Sequence, residues 1–218
     1  MQCEKAMYLD TYHSDLARIS PETRQKFTAG RLFEKIYKDQ YPNAIDVSEQ
    51  LRWRFGEYAR YTQQLLERPG EITLFEAGFK YDGVLVLTDV LHRSEDGKID
   101  IFEVKNVGEV SPTIRNDVFV QYYVVSHCLP AINSFNVIYR PIDFAPESEN
   151  PCFAKEALID EAREKVAEVA ARVARFKEVL QGGEPTIAMG EHCNKPYECP
   201  FQQYCSQNMD AQLSLSGL

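Results

Sequence analysis

Val84-Leu85-Val86-Leu87-Thr88-Asp89-Val90-Leu91, followed after a turn by Ile99-Asp100-Ile101-Phe102-Glu103-Val104-Lys105, is the stretch that decides the fold of this chain. Both runs are short and rich in β-branched and aromatic residues, which is the composition of strands rather than of core helices. Asp96-Gly97 lies between them as a hairpin signal, and Asp82-Gly83 joins the first to an earlier run, Ile72 to Lys80. Three strands linked by tight turns predict an antiparallel meander. Glu103 and Lys105 are two residues apart and share a face. The Asp96-Gly97 turn can bring Asp89 beside them, so that two carboxylates and one ammonium meet in an apolar sheet.

Helical periodicity appears on both sides of the meander. Residues 15–41 are expected to be mostly helical, with Ser20-Pro21-Glu22 as the start and Tyr41-Pro42-Asn43 as the end. A second helix is expected from Ser48 to Glu67, before the Arg68-Pro69-Gly70 turn. Downstream, Asn116 to Leu129 reads as a buried helix, Phe135 to Arg140 as a strand and Pro141 to Pro151 as a loop. Ala154 to Gln181 reads as a long charged helix stopped by Gly182-Gly183, followed by a cysteine-bearing loop and a polar tail expected to fray. The fold class is α/β: a mixed sheet of about four or five strands flanked by helices.

The chain has 218 residues, enough for one domain with a sizeable core. No apolar run approaches the ~20 residues that span a bilayer, and there is no signal-peptide pattern, so no membrane is expected and the cytoplasm is the expected location. The net charge of −9, from 24 basic and 33 acidic residues, argues against tight unaided binding to duplex DNA. It leaves room for a local basic cleft. Six cysteines in a reducing compartment point to metal ligands before disulfides.

Hard oxygen donors such as Asp89 and Glu103 suit magnesium or manganese. The metal would polarise a phosphodiester and acidify a bound water, with Lys105 orienting that water or steadying charge on phosphate. A solvated strand edge explains the same E-x-K spacing. The motifs, however, occur in a familiar order. The run from Gly83 to Leu91 and then Ile101-Phe102-Glu103-Val104-Lys105 resembles motifs II and III of the RecB-like nucleases of the PD-(D/E)xK superfamily. Gly30-Arg31-Leu32-Phe33-Glu34 resembles motif I, and Gln121-Tyr122-Tyr123 resembles the glutamine- and tyrosine-bearing helix that follows E-x-K. Thr88 stands where the superfamily name has proline, and Val125 stands where the helix usually has tyrosine. The resemblance implies a restriction-endonuclease-like core in which Glu34, Asp89, Glu103 and the carbonyl of Val104 bind the metal. It implies Asp89, Glu103, Lys105 and Gln121 as the catalytic set, with Tyr122 and Tyr123 near the nucleic acid.

Cys193, Cys199 and Cys205 form C-x5-C-x5-C with Pro196 and Pro200 in the intervals, and Cys3 is the candidate fourth ligand. Structural zinc more often uses close C-x2-C pairs, although zinc stays a competitor. One cysteine at the far N-terminal end with three near the C-terminal end resembles the iron–sulfur branch of the RecB-like nucleases. That branch includes the AddB nuclease domain and the CRISPR-associated exonucleases. The resemblance runs from Cys3 to Cys205 and implies a 4Fe–4S cluster acting as a structural staple. Residues 1–218 are thus expected to form a single nuclease domain, with 1–15 and 185–210 as the cluster-binding cap and 70–140 as the catalytic sheet and helix. Relatives carry a segment ahead of the first cysteine, so the chain also reads as a piece of a larger protein. The implied activity is Mg2+- or Mn2+-dependent hydrolysis of DNA, as an exonuclease on single-stranded or frayed ends. A helicase or a CRISPR integration protein would then supply the DNA affinity that the charge balance lacks. The alternatives are a non-catalytic, cluster-stapled module that binds nucleic acid or a partner, and a zinc-stapled interaction domain.

Overall fold

The structure is a computed structural model that describes residues 2–148 and 151–215. In chain order the elements are α1 (Glu4–Tyr12), α2 (Pro21–Lys38), β1 (Ile45–Asp46), α3 (Val47–Leu51), α4 (Tyr58–Leu66), β2 (Ile72–Tyr81), β3 (Val84–Arg93) and β4 (Ile99–Lys105). They continue with α5 (Pro112–Cys128), β5 (Ser134–Tyr139), β6 (Ala154–Ala157), α6 (Ile159–Gln181) and α7 (Gln202–Leu215). The chain divides into two compact units, Lys26–Ala170 and Met1–Gln25 with Ala171–Leu218.

The first of these holds a six-stranded sheet in the order β1-β2-β3-β4-β5-β6. The β2–β3–β4 meander is antiparallel, β5 runs parallel to β4, β1 runs parallel to β2, and β6 closes the sheet antiparallel to β5. Asp82 and Gly83 both take positive φ, at 50° and 79°, as a two-residue primed turn requires. On one face, Phe33 and Tyr37 of α2 pack against Val90, Val104 and Ile138, with Phe75, Phe102, Phe144 and Phe153 around them. On the other, Tyr122 of α5 meets Phe135, the register partner of Ile101. Both faces are covered. That is why β3 and β4 read as near-continuous apolar runs instead of alternating ones.

The sheet has more strands than the expected four or five. β1 is only two residues long, and Ala154–Ala157 pairs as a strand on Tyr139 to Asn136 where the sequence reads as the start of a helix. The expected helix from Ser48 to Glu67 is broken, because Arg52 adopts φ +51° and ends α3 before α4 begins. Residues 141–148 carry neither helix nor strand, and the rest of that expected loop includes residues 149–150, outside the described residues. Among the described residues, no helix is long and apolar enough to cross a membrane.

In the second unit, Leu9 of α1 is fully buried against Cys199 and Phe201, with Tyr204 and Cys205 beside them. The Glu4 carboxylate accepts from Arg175 at 2.9 and 3.0 Å, and the Tyr12 hydroxyl donates to the Leu180 carbonyl at 2.8 Å. α1 and α7 are additions to the sequence expectation, which had loop and fraying tail in the region of α7. The end of that tail, residues 216–218, lies outside the described residues.

Candidate metal centre

The site forms where two strands part. The β3–β4 ladder runs from Arg93↔Ile99 to Val90↔Phe102 and stops there. β3 continues with β2 to the hairpin tip at Tyr81↔Val84, while β4 continues with β5 to Lys105↔Tyr139. Asp89 stands at this fork, and its Oδ2 accepts the Val104 N–H at 2.6 Å. On β2, Glu76 falls between the pairs Phe75↔Val90 and Ala77↔Thr88, which flank Asp89, and on β4 Glu103 follows the last β3–β4 pair, Val90↔Phe102. Three neighbouring strands thus each bring one acid to the fork.

Helix α2 brings Glu34 to the same place. Glu34, Glu76 and Asp89 each offer an oxygen, and those atoms lie within 4.8 Å of one another. Glu76 reaches its position with φ +55°, a conformation rare for a side chain with a Cβ and costing on the order of 1–3 kcal/mol. Lys38, one turn after Glu34, binds Glu34 and lies 2.8 Å from Glu76. Glu103 is only 3% exposed, and its oxygens are taken separately: Lys105 Nζ is 2.5 Å from Oε1, and Gln121 Nε2 donates to Oε2 at 2.7 Å. The other amide atom of Gln121, Oε1, is buried without a protein partner.

Four carboxylates here face two ammonium groups. Burial, reinforced by the charge of Glu103, holds the Asp89 carboxyl well above the usual carboxylate range, against the pull of Lys105 and the Val104 N–H. Burial also raises Glu76, with Lys38 opposing. Lys105 loses stability as a cation through burial, but Glu103 and then Asp89 more than reverse this and raise its pKa. For Lys38, Glu76 and Glu34 do the same. A half-buried set of oxygen donors that is short of positive charge fits a hard divalent cation such as Mg2+ or Mn2+. Glu34, Asp89 and Glu76 are the residues placed to hold it.

The sequence-derived residues Glu34, Asp89, Glu103, Lys105 and Gln121 come together, and Val104 joins them through its N–H. Glu76 and Lys38 were not anticipated. Both had a signal. A two-residue turn at Asp82-Gly83 fixes the register that sets Glu76 against Asp89, and Lys38 follows Glu34 by the four residues that make helix neighbours. Tyr122 and Tyr123 are buried elsewhere. Tyr122 packs on Phe135, while the Tyr123 hydroxyl donates to Asp82 at 3.2 Å and its ring packs edge-on against Tyr81. Neither offers a free ring face to a base.

In the unit that joins the first and last segments, Cys3, Cys193, Cys199 and Cys205 line one small pocket with Ala6, Met189 and Phe201. The Cys193 carbonyl accepts from Cys199 N at 2.8 Å and from Gln202 Nε2 at 2.6 Å, which folds the segment between them back on itself. Burial pushes the Cys199 thiol up, and the neighbouring thiols add to this. At Cys205 burial acts in the same direction and Lys5 opposes it. Among the described residues, no three of these sulfurs approach one another within 4.8 Å. A single tetrahedral ion with bonds of about 2.3 Å would hold them closer than that. Cys128 and Cys152 are exposed and take no part in the pocket.

No protein-family model matches this chain, and no curated protein matches it. Among solved structures, the crystal structure of SSO0001 aligns with 93% of this chain and 81% of that chain, at 11% identity and a TM-score of 0.42. So distant a likeness bears on no residue of the site.

Proposed function

We propose that this chain is a Mg2+- or Mn2+-dependent DNA nuclease of the RecB-like type, acting in the cytoplasm on single-stranded or frayed ends. The observation that carries the proposal is the row of Glu76, Asp89 and Glu103 at the fork of β3 and β4, joined by Glu34 and faced by Lys105. A divalent cation bound there would supply an acidified water and polarise the phosphodiester. The protein's own groups do the rest. Glu34, Glu76 and Asp89 would hold the cation, and the Val104 N–H fixes the Asp89 carboxylate. Gln121 anchors Glu103, which in turn holds the Lys105 ammonium where charge on a phosphate oxygen can be met. The unpartnered Gln121 Oε1 can accept a hydrogen bond from a water in the cleft.

The four-cysteine pocket is proposed to hold a 4Fe–4S cluster in a structural role. Bridging Cys3 to Cys193 closes a loop of ~190 residues, a large reduction of chain entropy. DNA affinity is proposed to come in part from a helicase or a CRISPR integration partner, since the chain carries a net charge of −9.

A second reading has one observation in its favour. Lys38 already places an ammonium between Glu34 and Glu76, as a protein that dispensed with the metal would do. An anaerobic assay with Mn2+ on end-labelled single-stranded DNA separates the two. Cleavage is expected from the wild type and should fall by about 10²-fold or more in Lys105→Ala and in Glu103→Gln. Absence of cleavage by wild type, with the cluster intact and Mn2+ bound, would leave the non-catalytic module.

A further inference from the structure

The chain's only tryptophan, Trp53, is 85% exposed, in the turn Arg52-Trp53-Arg54-Phe55 between α3 and α4. A large ring left in water is unusual, and here it sits between two arginines on a protein of net negative charge. The turn is held firmly. Arg52 adopts φ +51°, its carbonyl accepts the Tyr58 hydroxyl at 2.7 Å, and Arg54 donates to the Leu51 and Gln50 carbonyls at 3.3 and 3.1 Å. Phe55, itself 48% exposed, stacks on Tyr58 with centroids 5.5 Å apart and planes at 23°. Among the described residues, the Arg52 guanidinium has neither a hydrogen-bond nor an ion-pair partner. Arg60, in the first turn of α4, is 71% exposed and lies 3.8 Å from the Glu57 carboxylate.

The position of this turn gives it meaning. α3 begins directly after Asp46, which pairs with Phe75 of β2. α4 is pressed onto β2 at Gly78, where Thr62 Oγ1 accepts the Gly78 N–H at 2.8 Å and an added Cβ would stand 2.5 Å from Tyr58 Cβ. Glu76 lies on β2 between these two anchor points. The aromatic turn therefore joins the two helices that bracket one of the four carboxylates, and α3 is only about 7.5 Å long.

We propose that Arg52-Trp53-Arg54-Phe55 is a stacking platform for single-stranded nucleic acid, which leads an unpaired strand toward the carboxylates. Trp53 supplies a flat apolar face for a base, and Arg52 and Arg60 supply charge for the phosphates on either side. Duplex DNA keeps its base faces covered and cannot use such a platform. Neighbouring Glu49 and Gln50 are exposed and polar, so the turn offers no continuous apolar surface to a protein or a bilayer. The direction of the strand rests on the nuclease reading; the binding itself does not.

Because Trp53 is the only tryptophan, its emission reports this turn and nothing else. In EDTA and low salt, an oligothymidylate should quench it saturably, a hairpin duplex of equal length should not, and an oligouridylate shows whether the sugar matters. Anisotropy of the labelled oligothymidylate should show affinity about tenfold lower in Trp53→Ala and largely recovered in Trp53→Phe, since stacking on one aromatic ring is worth about 1–3 kcal/mol. Unchanged melting of Trp53→Ala would confirm that the variant folds. Equal quenching by duplex, no quenching at all, or affinity unchanged in Trp53→Ala would each overturn the proposal. Binding through Trp53 without Mn2+-dependent cleavage would sink the nuclease reading and leave the platform. Cleavage with binding indifferent to Trp53 would do the opposite.

Discussion

Lys38 is the residue on which the metal-free site depends. Its ammonium serves both Glu34 and Glu76, whose side chains are about a quarter exposed while its own is 13% exposed. Lys38→Met leaves two carboxylates without their counter-ion. Fully buried pairs cost about 3–5 kcal/mol when broken, and partial exposure here reduces that to about 2 kcal/mol, or roughly 4–8 °C in Tm. Mn2+ should restore the loss, so the rise in Tm on adding Mn2+ should be larger in Lys38→Met than in wild type. A smaller rise would show that Lys38 does not stand in for the cation. Asp89 makes the complementary case. Its folded pKa is raised, chiefly by burial, so the folded state binds protons more readily than the unfolded chain. Stability without metal is therefore lost as pH climbs from the ordinary carboxylate value of about 3.9 through the raised one. Asp89→Asn removes that penalty. It should melt higher than wild type at neutral pH without metal, lose this advantage as the pH is lowered, and fall below wild type once Mn2+ is added.

Among the elements, β2 carries the tightest packing constraint. At Gly78 any Cβ meets the Cβ of Tyr58 at 2.5 Å and its backbone carbon at 3.1 Å, so α4 has to move to admit one. Gly78→Ala should cost on the order of 1–3 kcal/mol, read as a lower urea midpoint with little change in slope. The elements also show what a sequence can disclose. The meander was legible because Asp82-Gly83 and Asp96-Gly97 are local turn signals, and turns of fixed length determine register. Asp89, Glu103 and Lys105 could be placed from that register alone. β6 could not, because Ala154 to Ala157 has no strand composition of its own and pairs through its tertiary setting, where Arg115 of α5 binds Glu156 and lies 2.6 Å from Glu161. The break after α3 was hidden for a related reason. Arg52 has no intrinsic preference for φ +51°, and the Tyr58 hydroxyl that holds its carbonyl lies six residues away.

At the scale of the whole molecule, the two compact units have different sources of stability. Lys26–Ala170 has a sheet covered on both faces. The unit of Met1–Gln25 with Ala171–Leu218 has a small core around Leu9 and Phe201, with the cysteines beside it. A small core usually needs a metal or cross-link to stand alone. Cys199→Ser should therefore abolish broad visible absorbance in anaerobically purified protein and lower the first of two calorimetric transitions, with the second, belonging to the sheet unit, nearly unchanged. A single transition that shifts as a whole would contradict this division.

The division also sets an order of events during synthesis. The sheet unit is inserted in the sequence between the two halves of the cysteine-bearing one. A ribosome releases Cys3 early and reaches Cys193 only 190 residues later, an interval of roughly ten to forty seconds at ordinary elongation rates. Through that interval the sheet can complete its own pairing while the first thiol waits without its companions. The cofactor proposed for the four thiols would consequently be loaded last, onto a protein whose sheet is already formed.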